Sequence, residues 1–216
     1  MLVEPLGDTA ILIRDLDGVA PISLALWVRN LGIPGFIEST SSYETVAIFV
    51  DPLLQSEALR FVGSLDISKV LVPPCRGTTH EVPVCYELGP DLLEMSQLLN
   101  IDPSTLITRH TSKSYTCYAV GFCPGFPFLG YLPSGLQGTP RRKSPRVRVP
   151  QGAVGITGKQ TGIYHSESPG GWNLIGLCPL IIADLNDRYF PIEAGDKVRF
   201  RSISPDDYRS LRGQRL

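Results

Sequence analysis

Two early stretches, AILIR (10–14) and ETVAIFV (44–50), are short apolar runs rich in β-branched residues and predict strands. Between and after them the period lengthens. Leu24, Trp27, Val28 and Leu31 recur at i, i+3, i+4 and i+7, which predicts an amphipathic helix ending before Gly32. A second helix is predicted behind Asp51 as N-cap and Pro52 at the first helical position, with Leu54, Ala58, Phe61 and Leu65 near one face. Helices lying on one face of a small sheet make an α+β unit. PPCRGTTH (73–80) reads as a connector, HEVPVCY (80–86) as a strand and DLLEMSQLL (91–99) as a short helix. Another helix should follow Asp102 and Pro103 and end near His110. From Ser114 the helical period disappears. SYTCYAVG, VRVP, AVGIT, TGIYH, WNLIGL and KVRFR are short segments punctuated by Gly and Pro, the pattern of a compact β-barrel or sandwich. The reading therefore places an α+β unit at 1–79, a mainly β unit at 80–205 and a tail at 206–216, which makes one helical turn or frays.

Composition narrows the function classes. Twenty Lys and Arg against twenty-one Asp and Glu leave a net charge of -1, so no global charge argues for nucleic acid or an anionic membrane. The opening residues carry Glu4 and Asp8 and lack the basic-then-apolar order of a signal peptide, and VAIFV (46–50) is far short of a membrane span of about 20 residues. Five widely spaced cysteines without a C-x-x-C pair fit neither a disulfide framework nor a zinc knuckle, and a cytoplasmic location is expected. His80, His110 and His165 share no helical spacing for a metal, so none is expected.

The candidate chemistry sits in three segments. GFCPGFPFLGYLP (121–133) combines three prolines that fix φ with three glycines that relax it, so the backbone is irregular yet stiff. Its rings, Phe122, Phe126, Phe128 and Tyr131, either wall a small-molecule pocket or plug one end of the barrel. Cys123 in the same loop needs a neighbouring His or cation to act as a nucleophile; a small apolar filler is the simpler reading. TPRRKSPRVRVP (139–150) gathers Arg141, Arg142, Lys143, Arg146 and Arg148, forks suited to carboxylate or phosphate, or else a solvated basic loop. Alternation in VRV should put Arg146 and Arg148 on one face, opposite Val147 and Val149. QGAVGITGKQTGIYHSESPGGW (151–172) is no phosphate loop, because its glycines lack the Walker spacing and Gln160 follows Lys159. Its glycines suit hairpin turns, and SPGG (168–171) suits a type II turn. That leaves unexplained why Gln160, Thr161, Tyr164, Glu167 and Ser168 accompany them. His110, at the end of a short helix, either caps carbonyls or serves as acid or base.

Taken together, RHTS, P-G-F-P-x-L-G, P-R-x-x-x-P-R-x-x-V-P, Q-T-G-x-Y-x-x-E-S-P-G-G-W and the late EAGDKVRF resemble the allophanate hydrolase subunit 1/KipI family, on the side of its 5-oxoprolinase members. The resemblance implies a small N-terminal α+β domain followed by a cyclophilin-like β-barrel. It also implies a non-autonomous subunit that works with a subunit 2/KipA-type partner and a LamB/YcsF-like partner, opening the lactam of 5-oxo-L-proline to L-glutamate. ATP with Mg would be co-substrate of the complex, with nothing tightly bound to this chain. By resemblance Arg142 and Arg146 contact carboxylate or phosphoryl; Tyr164, Phe126 and Phe128 contact substrate; and His110, Gln160 and Glu167 supply the catalytic groups. The chain departs from the family pattern where His165 follows the motif tyrosine and where Gly176-Leu177-Cys178-Pro179 lacks a common arginine. The same family also implies other roles: an inhibitor of a sensor histidine kinase, or an allophanate- or urea-processing accessory subunit.

Overall fold

The computed structural model describes residues 1–70 and 77–216; the first half of the connector expected at 73–80, with Cys75, lies outside the described residues. The chain divides into two compact units, Met1–Arg76 and Gly77–Leu216.

In the first unit, β1 (Leu2–Leu6), β2 (Ala10–Arg14), α1 (Pro21–Val28), β3 (Phe36–Ser42), β4 (Thr45–Val50) and α2 (Gln55–Gly63) follow in order. The strands form an antiparallel sheet ordered β1-β2-β4-β3. Ile11, Ile13, Val46, Ile48 and Val50 meet Leu24 and Val28 of α1 and Ala58 and Val62 of α2 in one core. The apolar pattern predicts two of the four strands. It misses β1, whose Pro5 suits an edge position, and β3, FIESTSS, whose inward residues are serines. Ser39 turns inward because its hydroxyl donates to the Ala25 carbonyl at 2.6 Å, so a polar residue fills a core position with its hydrogen bond satisfied. Asp51 caps as expected by accepting from the Leu53 N–H, but Pro52 opens a 3₁₀ turn (Pro52–Leu54) before α2 starts. That shift turns Val62 into the core and leaves Leu54 exposed.

The second unit runs β5 (Thr79–Val84), α3 (Leu92–Leu98), α4 (Pro103–Thr111), β6 (Ser114–Val120), β7 (Pro127–Gly130), β8 (Arg146–Val149), β9 (Ala153–Thr157), β10 (Gln160–Ile163), β11 (Ser168–Gly170), β12 (Asn173–Leu177), β13 (Lys197–Ser202) and α5 (Pro205–Leu211). Seven strands form one sheet in the order β12-β9-β10-β7-β6-β13-β5. Its two edges meet: Cys85, just past β5, exchanges backbone hydrogen bonds of 2.9 and 3.0 Å with Leu177 of β12, which all but closes the barrel. The fold class is therefore as expected, α+β followed by a mainly β barrel. Asp102 caps α4 through the Thr105 N–H at 2.8 Å, with Pro103 in the first turn. Residues 206–216 are more than a fraying end: α5 carries a Ser204/Asp207 capping box, and the Leu216 N–H donates to the Ile181 carbonyl. Among the described residues no helix is long and apolar enough to cross a membrane.

Candidate functional site

β9 and β10 join through the two-residue turn Gly158-Lys159, with Gln160 opposite Thr157 and Gly158 at φ +54°. The far end of β10 carries Tyr164 towards the loop that follows β6. There Phe122, Phe126 and Phe128 meet Tyr164 and Trp172. Phe126 is 1% exposed and sits at the centre, its ring centroid 4.9–5.6 Å from the other four, all edge-on. Phe122, 63% exposed and held at φ +67°, projects from the loop mouth. Together with Arg141, Pro145, Pro169, Gly170 and Gly171 these rings line a cleft of about 250 Å³. Gly170 is required there, because a Cβ would stand 2.5 Å from the Tyr164 hydroxyl oxygen.

Arg141 is placed by its neighbours. The Asn173 side-chain amide donates to the Pro140 carbonyl at 2.8 Å, and the Arg142 N–H donates to the Gly171 carbonyl at 2.9 Å. These two bonds tie the basic segment along the start of β12 and leave Arg141 at the cleft, its guanidinium the cationic group of the lining. Burial pushes the Tyr164 hydroxyl above its usual pKa, so it stays protonated and offers an O–H.

Arg142 and Arg146 do not line this cleft. Both donate to Oδ1 of Asp91, at 3.2 and 2.6 Å, while Oδ2 of Asp91 accepts the Leu174 N–H at 2.6 Å. The Asp91 side chain is 3% exposed, and those of Arg142 and Arg146 are 31% and 24% exposed. The three form a partly buried ion triad that clamps the basic segment onto the barrel. SPGG is not a type II turn either: Ser168–Gly170 is β11, paired with β8 through Ser168↔Val149 and Gly170↔Arg146, with a register shift that accommodates Pro169. That irregular ribbon also breaks the expected alternation. Arg146 turns to Asp91, Arg148 reaches Glu167 at the exposed surface at 3.6 Å, and Val147 is exposed while Val149 is buried.

His110 is a core residue. It is fully buried, stacked on Phe200 with ring centroids 4.6 Å apart, and both ring nitrogens are engaged. Thr161 Oγ1 donates to the Gly155 carbonyl and therefore accepts from His110 Nε2–H at 3.0 Å; Nδ1 then accepts from the Tyr86 O–H at 2.7 Å. Burial lowers the imidazole to about 3, which fixes the neutral form, and the site offers an acid or base no contact with the cleft. The folded pKa lies below the unfolded value near 6.5, so the unfolded chain binds the extra proton. Stability present above that value is lost as pH falls towards about 3, by about 2 kcal/mol at pH 5. Urea unfolding at pH 7 and pH 5 should show that loss, and His110→Gln should reduce it; an unchanged pH response in the variant would refute the assignment.

Of the residues singled out from sequence, the structure brings Phe122, Phe126, Phe128 and Tyr164 to one cleft. Gln160 stands half-buried at the start of β10 opposite Gly130, and Glu167 on the surface beside Arg148. Asp91, read as a helix start, carries no sequence signal of its role as the anchor of two arginines. Arg141 and Trp172 are in view within the motifs but are not distinguished from their neighbours.

A family profile described as "Carboxyltransferase domain, subdomain C and D" matches residues 1–190. The chain belongs to that carboxyltransferase-domain family. One 5-oxoprolinase subunit, from Bacillus subtilis (strain 168), is 32% identical over 240 residues, covering 97% of this chain and 96% of that protein, in agreement with the resemblance read from the motifs. Among solved structures, TTHA0988 superposes with a TM-score of 0.74 at 31% identity over 94% of this chain, which spans 40% of the TTHA0988 chain. The urea amidolyase of K. lactis gives a TM-score of 0.72 at 18% identity, with 96% of this chain covered and 15% of that one, and shares the fold. Within the family fold, the aromatic cleft sits where the three sequence motifs converge: the Phe122–Phe128 loop, the Arg141–Pro145 stretch and the Tyr164–Trp172 stretch.

Proposed function

We propose that this chain is the ring-binding component of an ATP-dependent 5-oxoprolinase, the counterpart of the Bacillus subtilis relative, and that its aromatic cleft receives the substrate ring. The observation that carries the reading is the cleft itself: five aromatic side chains around one arginine. A volume of about 250 Å³ is below the roughly 300–1,000 Å³ of pockets for drug-sized ligands, so a single small ring fits better than a nucleotide. 5-Oxo-L-proline has apolar methylene edges for Phe126, Phe128 and Trp172, a carboxylate for the Arg141 fork, and an amide carbonyl that can accept the Tyr164 O–H. The name of the Bacillus subtilis relative supports the same role.

An unstrained amide is a poor electrophile. Phosphorylation of its oxygen by ATP creates a leaving group, and a fixed cation offsets the charge that develops. In this reading the chain binds and orients the ring, while ATP with Mg is engaged by the assembled complex. The described lining of the cleft contains no carboxylate, histidine or lysine. Proton transfer then falls to groups brought by the subunit 2/KipA-type and LamB/YcsF-like partners, or to Glu167, two positions before Pro169 of the lining; Gln160, at the other end of β10, carries no proton-transfer group. The test is glutamate formation from 5-oxoproline by the three proteins together, omitting each in turn. Arg141→Met should raise KM about ten- to hundredfold, the worth of one charge-assisted hydrogen bond, with a smaller change in kcat. An unchanged KM in an active complex would remove Arg141 from the site, and inactivity of a correctly assembled complex would remove 5-oxoproline as substrate.

A further inference from the structure

Cys123 is the non-buried cysteine of the described residues; Cys85, Cys117 and Cys178 are sealed in the core. Its sulfur lies 3.9 Å from Nδ1 of His165, 42 positions away in sequence. His165 is 2% exposed, and Cys123 Sγ is the group its Nδ1 meets among the described residues. The other ring nitrogen, Nε2, is 3.2 Å from the Ser166 hydroxyl. When Nε2 carries the proton it donates to Ser166 Oγ, and the Nδ1 lone pair then points at the thiol. This is the order of a nucleophile, its base and the group that orients the base.

We propose that Cys123 is a nucleophilic thiol assisted by His165, and that it forms mixed disulfides with small uncharged disulfides. Phe122 precedes it in the loop and Cys123 packs against the cluster of Phe126, Tyr164 and Trp172, an apolar setting that favours an uncharged partner over an ionic one. Burial raises the thiol and lowers the imidazole, so at rest the pair is neutral and the sulfur is no standing thiolate. The base therefore acts during attack. The S–H proton passes to His165 Nδ1, and the sulfur attacks one sulfur of the disulfide. A new S–S bond forms as the old one breaks, and the departing thiolate keeps the electron pair and recovers the proton from the imidazolium. The disulfide is the oxidant, and no other is needed.

The probe is 4,4′-dithiodipyridine, added to the full chain and followed by release of the pyridinethione and by peptide mass mapping. The Cys123 peptide should label at least about tenfold faster than those of Cys85, Cys117 and Cys178. Between roughly pH 6.5 and 8.5 its rate should be nearly flat, because the neutral imidazole does the work; an unassisted thiol would instead gain about tenfold per pH unit. His165→Gln should lower the pH 7 rate about tenfold and restore the steep profile. Labelling of Cys123 no faster than the buried three overturns the proposal, and so does a tenfold-per-unit profile in the unmodified chain, a result that needs no variant to fold. None of these readouts depends on turnover of 5-oxoproline.

Discussion

Asp91→Ala is expected to destabilise the barrel unit by about 3 kcal/mol and to lower its Tm by roughly 10 °C. The carboxylate accepts from Arg142, Arg146 and the Leu174 N–H at once, and it is buried. Its removal leaves two guanidinium groups, each about 70–75% withdrawn from water, facing a hole, Arg142 keeping only a 3.5 Å contact to the exposed Glu94, and an orphaned backbone donor. Removing one member of a buried pair costs more than the pair is worth, because the remaining charge keeps its desolvation penalty. The figure sits at the low end of the usual range because both arginines retain some water. Asp91→Asn, which keeps an acceptor for Leu174, should lose less. Urea unfolding of the full chain, followed by Trp172 fluorescence in a Trp27→Phe background, isolates this unit. Wild-type stability in Asp91→Ala would show that the triad is ornamental. The same experiment decides between two roles for the arginines: Arg146→Met should lower stability, whereas a substrate contact would alter KM and leave stability alone.

Phe126→Ala is the second large effect, about 3 kcal/mol of lost stability together with loss of ligand binding in the cleft. Phe126 is buried beneath Phe122, Phe128, Tyr164 and Trp172, and its ring also packs against the Cα of Gly162, where an added Cβ would lie 2.9 Å from Cζ. Truncation opens a void in a cluster whose other buried members are Val149, Ala153, Tyr164, Trp172 and Leu174, too few to collapse around it. Phe122→Ala is the control. Phe122 is exposed at the mouth, so its loss should change stability by no more than about 0.5 kcal/mol while weakening binding. Equal stability in the two variants would mean that Phe126 is not the keystone of the cleft wall.

The choice that the sequence leaves open for the loop at 121–133, plug or pocket wall, has a mixed answer in the structure. Phe126 is buried like a plug, Phe122 and Phe128 are not, and all three line the same cleft. The prolines and glycines announce a stiff irregular loop, but its sidedness depends on β7 pairing with β10, which lies more than thirty residues on. Arg141 and Arg142 show the same limit at closer range. They are adjacent and chemically identical, yet one lines the cleft and the other binds Asp91. Local pattern carries no information to separate them, because the separating partner is about fifty positions upstream. His110 reads from sequence as a candidate acid or base because its residue type titrates near neutral pH. Its burial among Tyr86, Tyr115 and Phe200 is what removes it from that chemistry.

By itself the sequence determined the order of units, the helices behind Asp51-Pro52 and Asp102-Pro103, the glycine-marked turns of the barrel segment and, through its ordered motifs, the family. These features rest on local backbone preferences and on side chains whose sidedness is set by a period of two or three and a half residues. Only the tertiary structure decided that β5 and β12 meet to close the barrel, that Asp91 clamps two arginines, that one arginine is left for the aromatic cleft, and that Cys123 meets His165. Each of these joins residues tens of positions apart. Long-range pairing sets burial, and burial sets both which charges must find partners and which groups can react.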